Sequence, residues 1–348
     1  MRPALKGGLL PVWRERDTLQ VGVDPRRAVA VRRLGPAAAV ISLLDGSRSR
    51  DDVIATALAY GVPAAAANRV LGLLASAGLL DDFPVGLHLA LPAEVRARLG
   101  PELATAALAY QDSSGGARVL ARRRGAYVRV YGAGRVGACV ATGLAAAGVG
   151  RVVCVDPAPA RTEDVCPAGL LMADVGAPRQ DGAARAMRAA APEVKTTDSG
   201  ELPDLVICAT IPTPELAASW RHAGLPHLAL RGEEAIGVAG PLVLPGQSAC
   251  LRCVDLRKTD LDPAWPKILA QAVCGTSRVT ACDVVLAFGV AAVGCAQALL
   301  FLDGQLAPGT LNGTLELVLP DWQWRRRTWQ PHGDCPCGAH NAASDAGQ

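Results

Sequence analysis

The chain has 348 residues, of which 50% are hydrophobic and 19% are charged, so it is not a disordered protein and is long enough for about two domains. Its net charge of +3, from 35 basic and 32 acidic residues, is too even for a dedicated nucleic-acid-binding protein, and we expect no nucleic-acid partner. Eleven cysteines and an N-terminus without the apolar core of a signal peptide predict a cytoplasmic protein, in whose reducing environment clustered cysteines more often bind metal than form disulfides.

The first 82 residues are predicted to form a compact module of the winged-helix type. Alternating apolar residues on both sides of the Asp24-Pro25 turn predict a β-hairpin over residues 18–34. Three helices are predicted to follow, over residues 35–44, 50–60 and 63–77. Ser49 and Asp52 have the spacing of a capping box at the start of the second helix.

A connecting region over residues 83–117 follows this module. It contains one predicted helix, residues 92–110, and ends in a Gly/Ser linker over residues 112–116. A larger domain is expected over residues 118–340, and the tail over residues 341–348 is predicted to be disordered.

The larger domain is predicted to belong to the α/β class. A strand, a glycine loop, an alanine-rich helix and a second strand form a β-α-β unit, which implies a parallel sheet. The two strands are predicted over residues 126–131 and 151–155, and the helix between them over 136–147. A further helix is predicted over 180–190. Further strands are predicted over 205–209, 241–244, 314–319 and 323–329, of which the last two look antiparallel.

An apolar segment over residues 284–302 reaches the length of a membrane-spanning helix. Asp283 and Asp303 bracket the segment, and no Lys or Arg cluster follows it directly. Its many Ala and Gly residues suit close packing inside an α/β protein. We therefore expect a buried core helix and no membrane partner.

The glycine loop has the pattern of a nucleotide-binding turn. Gly132, Gly134 and Gly137 form G-x-G-x-x-G between a predicted strand and a predicted helix, and Asp156 closes the next strand. In this pattern the glycines allow a tight turn, close approach of phosphate and helix-on-sheet packing, while the acid accepts hydrogen bonds from ribose hydroxyls. The alternative is a retained turn that only packs helix on strand. By itself the motif would also suit a nicotinamide-dependent oxidoreductase, but no hydride-transfer site is recognisable.

Two close cysteine pairs predict a structural zinc site. Cys250 and Cys253 form C-x-x-C, and Cys335 and Cys337 form C-x-C. Four thiolates make a closed tetrahedral site that stabilises a fold and leaves no open position for catalysis. The alternative is a set of free thiols or a redox pair. The other seven cysteines, at positions 139, 154, 166, 208, 274, 282 and 295, are predicted to be small buried hydrophobic residues.

Residues 118–339 resemble a known family. The string YGAGRVGACVATGLAAAGVGRVVCVD resembles the nucleotide-binding start of ThiF/MoeB-type adenylating enzymes, which are relatives of the ubiquitin-activating (ubiquitin-like modifier activating) enzymes. GPLVLPGQSACLRC and RRRTWQPHGDCPCG resemble the two zinc knuckles of that family. The resemblance implies a Rossmann-like adenylation fold with a structural zinc clamp, and homodimers are usual among the relatives.

Such enzymes use ATP to transfer AMP to the C-terminal carboxylate of a carrier protein. The resemblance implies that Asp156 is the ribose acid and that Arg179 occupies the position of a phosphate-binding lysine. The stretch EDVCPAGLLMADVG has no arginine where the family has one, and Ile211 stands where a magnesium-binding aspartate is expected. Without these side chains the charges of pyrophosphate and of its magnesium ion would be poorly compensated, so we expect an impaired or lost adenylation activity.

The chain resembles more narrowly the leader-peptide-binding partner proteins of azole-forming (TOMM, bacteriocin-type) peptide biosynthesis. These proteins join a PqqD-like winged helix to a degenerate ThiF-type domain, and DPAWPKILAQ over residues 262–271 is similar to their crossover segment. The resemblance implies a precursor (leader) peptide and a separate YcaO-type cyclodehydratase as partners. The remaining alternative is an active adenylyltransferase that uses Arg179 instead of lysine.

Leader capture is predicted at the N-terminal hairpin, because an extended peptide can add a strand to a sheet edge. Arg33 on the second strand and Arg69 on the third helix could meet acidic leader residues. For each of them alone, the alternative is a solvated surface arginine. The arginine runs over residues 122–124 and 325–327 are predicted to be solvated turns and edges.

Overall fold

The computed structural model describes residues 2–82, 91–274 and 280–340, without the side chains of residues 273 and 274. The predictions for the tail 341–348, and for the residues between these ranges, lie outside the described residues. The chain divides into an N-terminal unit, Met1–Ala121, and a C-terminal unit, Arg122–Gln348.

The N-terminal unit contains two small antiparallel sheets. Strand β1 pairs with β5, and β2, β3 and β4 form a three-stranded sheet in that order, so β4 is an edge strand. The strands are β1 Pro3–Leu5, β2 Pro11–Glu15, β3 Thr18–Val21, β4 Val29–Val31 and β5 Leu80–Asp82. The predicted hairpin is therefore present as β3 and β4.

Among residues 2–82 and 91–116, four α-helices and one 3₁₀ helix complete this unit. The 3₁₀ helix is Gly35–Leu43, and the α-helices are α1 Arg50–Ala59, α2 Ala64–Ser76, α3 Ala93–Arg98 and α4 Gly100–Ala109. The capping box is present, since the Asp52 amide donates to Ser49 Oγ at 3.1 Å and the Ser49 amide donates to Asp52 Oδ2 at 3.2 Å. The helix predicted over 92–110 is two helices, because Pro101 has no amide hydrogen and begins a new first turn. The assignment of residues 1–82 to the winged-helix, PqqD-like type stays a prediction.

The predicted Gly/Ser linker is a packed turn. Ser114, Gly115 and Gly116 are buried, and Ser114 donates its amide to Asp112 Oδ1 at 2.9 Å. Gly116 has φ +78°, and a Cβ there would overlap the carbonyl oxygen of Leu103. Glycine is therefore needed for close backbone packing at this position and not for chain flexibility.

The C-terminal unit is built on a seven-stranded sheet in the order β12-β11-β10-β9-β8-β6-β7. Strands β7, β6, β8 and β9 are parallel, as the β-α-β pattern predicts, and β10, β11 and β12 are antiparallel. The strands are β6 Tyr127–Tyr131, β7 Arg151–Val155, β8 Leu205–Cys208, β9 His227–Glu233, β10 Ile236–Val243, β11 Gly313–Val318 and β12 Trp324–Thr328. Strand β9, which begins with a buried histidine, is not predicted from the sequence.

In the described residues, seven α-helices and the 3₁₀ helices Thr162–Asp164 and Met172–Asp174 accompany this sheet. The α-helices are α5 Ala117–Gly125, which contains the unit boundary, α6 Arg135–Ala146, α7 Arg179–Ala190, α8 Pro214–His222, α9 Leu251–Leu261, α10 Trp265–Cys274 and α11 Val284–Asp303. Helix α11 packs against α6, β9 and β10 along a stripe that includes Leu286, Val290 and Gly294. In the described part of the chain it alone is long and apolar enough to span a membrane by length and composition. Its packed stripe favours the predicted core helix.

The prediction of solvated arginines is wrong for Arg123. Its Nε and Nη2 donate to the two carboxylate oxygens of Asp303 at 2.8 and 2.7 Å, and both residues are buried. The neighbouring Arg122 donates to the Asp303 carbonyl oxygen. The pair joins α5 to the C-terminal end of α11, and a pattern of consecutive arginines gives no signal for a partner 180 residues away. The second run, residues 325–327, is exposed on the edge strand β12, as predicted.

Candidate functional sites: a glycine loop, a cysteine cluster and a basic cavity

The glycine loop joins β6 to α6. Gly132 has φ +85°, and a Cβ there would overlap the Thr210 side chain. A Cβ on Gly137 would overlap the carbonyl oxygen of Gly132. Gly134 has room, because its Cβ would meet only Asp164 Oδ1, at 3.7 Å. Packing alone therefore requires the first and third glycines, whereas at the second the space is open.

Asp156, the candidate ribose acid, lies directly after β7. It is 9% exposed, and its Oδ2 accepts the amide hydrogen of Ala133 at 2.8 Å. Its Oδ1 accepts from the Ala158 amide at 3.3 Å. The carboxylate thus stabilises the backbone of the glycine loop, and a ribose would have to share these oxygens.

Arg179, the candidate phosphate ligand, is brought to the same place. Its Nε donates to Asp164 Oδ2 at 2.7 Å, and its Nη1 lies 3.6 Å from Asp156 Oδ2. The structure therefore brings Asp156 and Arg179 together at the loop. Two carboxylates already compensate this guanidinium, so a phosphate would compete with them. The sequence does not predict this partner of Arg179, although Asp164 lies in the stretch EDVCPAGLLMADVG, where the family has an arginine.

The position expected for a magnesium-binding aspartate is occupied by an apolar side chain. Ile211 follows the carboxyl end of β8 and lines a cavity together with Thr210. An isoleucine offers no oxygen ligand, whereas magnesium requires oxygen ligands in near-octahedral geometry.

The four paired cysteines meet in one buried cluster. The Sγ atoms of Cys250 and Cys253 are 3.8 Å apart, Cys250 and Cys335 3.6 Å, and Cys253 and Cys337 3.5 Å. All four Sγ atoms lie within 4.8 Å of one another. A tetrahedral zinc site with Zn–S bonds of about 2.3 Å has sulfurs about 3.8 Å apart, so the donor set and its spacing fit this metal. Burial raises the pKa of the Cys335 thiol to about 12, which a bound cation would reverse.

A cavity of about 780 Å³ lies in the C-terminal unit, between the end of β8 and the cysteine cluster. Its apolar wall includes Val238, Leu269 and Trp329. Five basic side chains line it against two acidic ones: Arg221, Arg231, Arg252, Lys258 and Arg327, with Asp255 and Glu316. The cavity therefore has the charge to receive an anionic group.

Lys258 is the most distinctive of these side chains. Its Nζ lies 4.3 Å from the centre of the Trp265 ring, and no ion pair involves it among the described residues. Burial, and then the charge of Arg231, lowers the pKa of Lys258. The Nε1 of the same Trp265 ring donates to Asp255 Oδ1 at 3.2 Å. The sequence offered one signal for this site, since Lys258 is one of only four lysines.

The candidate peptide-binding arginines both lie on the surface of the N-terminal unit. Arg33 lies two residues beyond the end of β4 and has φ +60°, so it is not on the strand as expected. Arg69 is exposed on α2. Of the seven cysteines predicted to be buried, six belong to the described side chains; five of these are buried and Cys295 is half-buried.

Comparison with known proteins agrees with this architecture. Residues 111–201 match the ThiF family, which confirms the resemblance to that family. No curated protein matches the chain in sequence.

The solved structures with the same fold include MccB, a Microcin C7 biosynthetic enzyme, and PaaA. E. coli MccB with AMPCPP and MccA superposes with a TM-score of 0.68 and 16% identity, over 97% of this chain and 100% of that one. E. coli MccB with ATP gives 0.66 and 16%, over 97% and 99%. PaaA gives 0.68 and 16%, over 93% and 99%. At such identity these comparisons establish the fold.

Proposed function

We propose that this protein is a leader-peptide-binding partner protein in the biosynthesis of thiazole/oxazole-modified, bacteriocin-type peptides. It presents a precursor to a separate YcaO-type, ATP-dependent cyclodehydratase. E. coli MccB, which has the same fold, has been solved with N-formylated MccA and is described as a Microcin C7 biosynthetic enzyme. The proposal transfers peptide recognition, but not MccB's reaction, to this chain.

The observation that carries the proposal is the free edge of the three-stranded sheet in the N-terminal unit. Within the part of the chain that the structure describes, strand β4 has a neighbour on one side only. Val31 of this strand belongs to the same hydrophobic core as Val70 and Leu74 of α2, so one core holds both the strand and the helix. An edge strand presents unpaired amide and carbonyl groups, to which an extended leader can add as a fourth strand.

Two exposed arginines are placed to select an acidic leader. Arg33 follows β4, and Arg69 lies on α2. Exposed ion pairs contribute about 0.2–1 kcal/mol each. Loss of both ion pairs would remove about 0.4–2 kcal/mol of binding free energy, so reversing both charges should weaken binding of an acidic leader by about 2- to 30-fold.

The test is fluorescence anisotropy with the full-length chain and a labelled leader from a precursor encoded next to its gene. Arg33→Glu/Arg69→Glu should raise Kd by that factor, and Arg16→Glu, an exposed arginine of the same unit, should leave it within about twofold. Equal Kd values for the double variant and the wild type would refute the assignment of these arginines. A leader that binds equally well after β4 is blocked by Ala30→Pro would refute the edge itself.

A reduced adenylation activity is part of this proposal. Arg179 is held by two carboxylates, and Ile211 cannot bind magnesium. These features support a ThiF-type fold that is kept for recognition of the precursor peptide, while the cyclodehydratase carries out the ATP chemistry.

One observation favours the second candidate, an active ThiF-like adenylyltransferase. The basic cavity reaches Thr210 and Ile211 at the carboxyl end of β8, close to where a peptide C-terminus would have to be adenylated. Pyrophosphate exchange with ATP and the full precursor decides between the candidates. Exchange above background would establish the adenylyltransferase; no exchange, together with leader binding, is the result we expect.

The remaining features of the proposal concern metal, assembly and location. The cysteine cluster would hold one structural Zn²⁺, which pins the segment around Cys335 to the N-terminus of α9. A homodimer is supported by exposed apolar side chains on α11, such as Val285 and Phe288. The protein is proposed to be cytoplasmic. Sedimentation with zinc analysis of the purified chain tests the first two points.

A further inference from the structure

Two cysteines outside the zinc-type cluster lie side by side at the glycine loop. Cys139 is on α6, and Cys166 is in the segment between β7 and α7. Their Sγ atoms are 3.5 Å apart, although the residues are 27 positions apart in sequence. Both side chains are buried. From the sequence alone they are predicted to be small buried hydrophobic residues, because a separation of 27 positions hides the pairing.

The backbone holds the two sulfurs in this arrangement. The Cys166 amide donates to the Leu170 carbonyl oxygen at 2.9 Å, and the Gly169 amide donates to the Cys166 carbonyl oxygen at 2.8 Å. This turn packs directly on α6, since a Cβ on Gly169 would lie 2.9 Å from the Cβ of Ala138 and 3.6 Å from Cys139 Sγ. The proximity is therefore fixed by main-chain contacts as well as by side-chain rotamers.

The surroundings activate one of the two thiols. A hydrogen bond from Cys139 lowers the pKa of Cys166 to about 7, and the Ala168 amide and the charge of Arg135 act in the same direction. Burial raises the pKa of Cys154 and Cys295 to about 12. Thiolates and not thiols attack oxidants, so Cys166 is the more reactive partner of the pair.

We propose that Cys139 and Cys166 form a reversible dithiol–disulfide site that is oxidised by hydrogen peroxide. The Cys166 thiolate attacks one peroxide oxygen, which gives a sulfenic acid and, after protonation, water. The Cys139 sulfur then displaces the sulfenic hydroxyl, which leaves as a second water with the Cys139 proton. Two thiols and one peroxide thus give one disulfide and two waters. The sulfurs must approach by about 1.5 Å, which side-chain rotation can supply.

The disulfide would tie α6 to the segment that carries Asp164. Asp164 holds Arg179 at the glycine loop, so the oxidation state would act on the same local structure. The inference is independent of the proposed peptide-binding function, which involves the N-terminal unit.

The test uses the full-length, zinc-loaded chain, reduced, freed of reductant and treated with hydrogen peroxide. Peptide mapping should find a link between Cys139 and Cys166, with a loss of about 2 Da that dithiothreitol reverses. Cys295→Ser should keep the link. In Cys139→Ser the sulfenic acid on Cys166 should persist and react with dimedone.

The wild-type measurement decides the matter even where a variant folds poorly. If both thiols can still be alkylated after denaturation while peroxide has oxidised other cysteines, the proposal is wrong. A link between Cys166 and a different cysteine would also overturn it.

Discussion

Alanine substitutions at the second and third glycines of the loop distinguish a glycine that packing requires from a glycine that only nucleotide binding would require. Gly137→Ala places a Cβ against the carbonyl group of Gly132 and 3.1 Å from the Cβ of Ala209. The nearest obstacles are main-chain atoms, which cannot rotate away, so α6 or the loop must move. Overpacking of this kind costs about 1–3 kcal/mol, and more where backbone is involved.

Gly134→Ala is the matched control at the same loop. Gly134 has φ −73° and ψ −162°, which any residue can adopt, and its Cβ would make an ordinary contact with Asp164. As N-cap of α6 it should tolerate alanine at a cost below about 1 kcal/mol. A phosphate bound to the loop would, however, approach the backbone at this position, where a methyl group obstructs it.

Thermal unfolding and ATP titration calorimetry on both variants measure the two effects. One kcal/mol corresponds to about 2–4 °C in a domain of this size, so Gly137→Ala should lower Tm by roughly 2–12 °C. Gly134→Ala should unfold close to the wild type. A wild-type Tm for Gly137→Ala would refute the packing argument, and ATP binding that only Gly134→Ala abolishes would refute the view that the loop is now purely structural.

Three further predictions concern stability. Arg123→Leu should cost about 3–5 kcal/mol in urea unfolding because it removes the guanidinium that donates to both carboxylate oxygens of the fully buried Asp303, and Arg123→Leu/Asp303→Leu should recover most of this cost; an equal loss in both would contradict this reasoning. Cys335→Ser should remove bound zinc and lower Tm, whereas Cys154→Ser should leave the zinc content, measured by plasma emission, unchanged. Burial lowers the pKa of His227 below its ordinary 6.5, so the unfolded state binds more protons and the free energy of unfolding should fall as pH drops below about 6.5. His227→Gln should reduce this dependence of the unfolding free energy on pH. An unchanged pH dependence in the variant would assign it to other groups.

The sequence predicted the elements whose signals are local. The β-α-β unit, the capping box at Ser49 and both cysteine pairs are set by short-range patterns, and the structure contains them all. The missed strand β9 alternates poorly, because its residues Arg231 and Gly232 lie between a cavity and a helix and not between core and water.

What the sequence could not predict depends on partners far apart in the chain. The ion pair of Arg123 with Asp303 spans 180 positions, and the basic cavity collects side chains from strands β9 to β12 and from helices α8 to α10. The packed turn at Gly116 shows the same limit, since composition alone suggests a linker and only the contact with Leu103 shows why glycine is there.

The presence of the G-x-G-x-x-G pattern is therefore not by itself evidence of nucleotide binding. Gly132 and Gly137 are required by contacts with Thr210 and with the loop's own carbonyl group, whether or not a nucleotide is present. Selection for packing alone would keep two of the three glycines, and Asp156 would be kept for its bond to the Ala133 amide. The positions that only a nucleotide explains are Gly134 and the charges around it, and there Arg179 is paired with Asp164 while Ile211 offers no oxygen. Gly134 is therefore kept while the charges around it differ from those of an adenylating enzyme, and it is these charges that support the proposed recognition function.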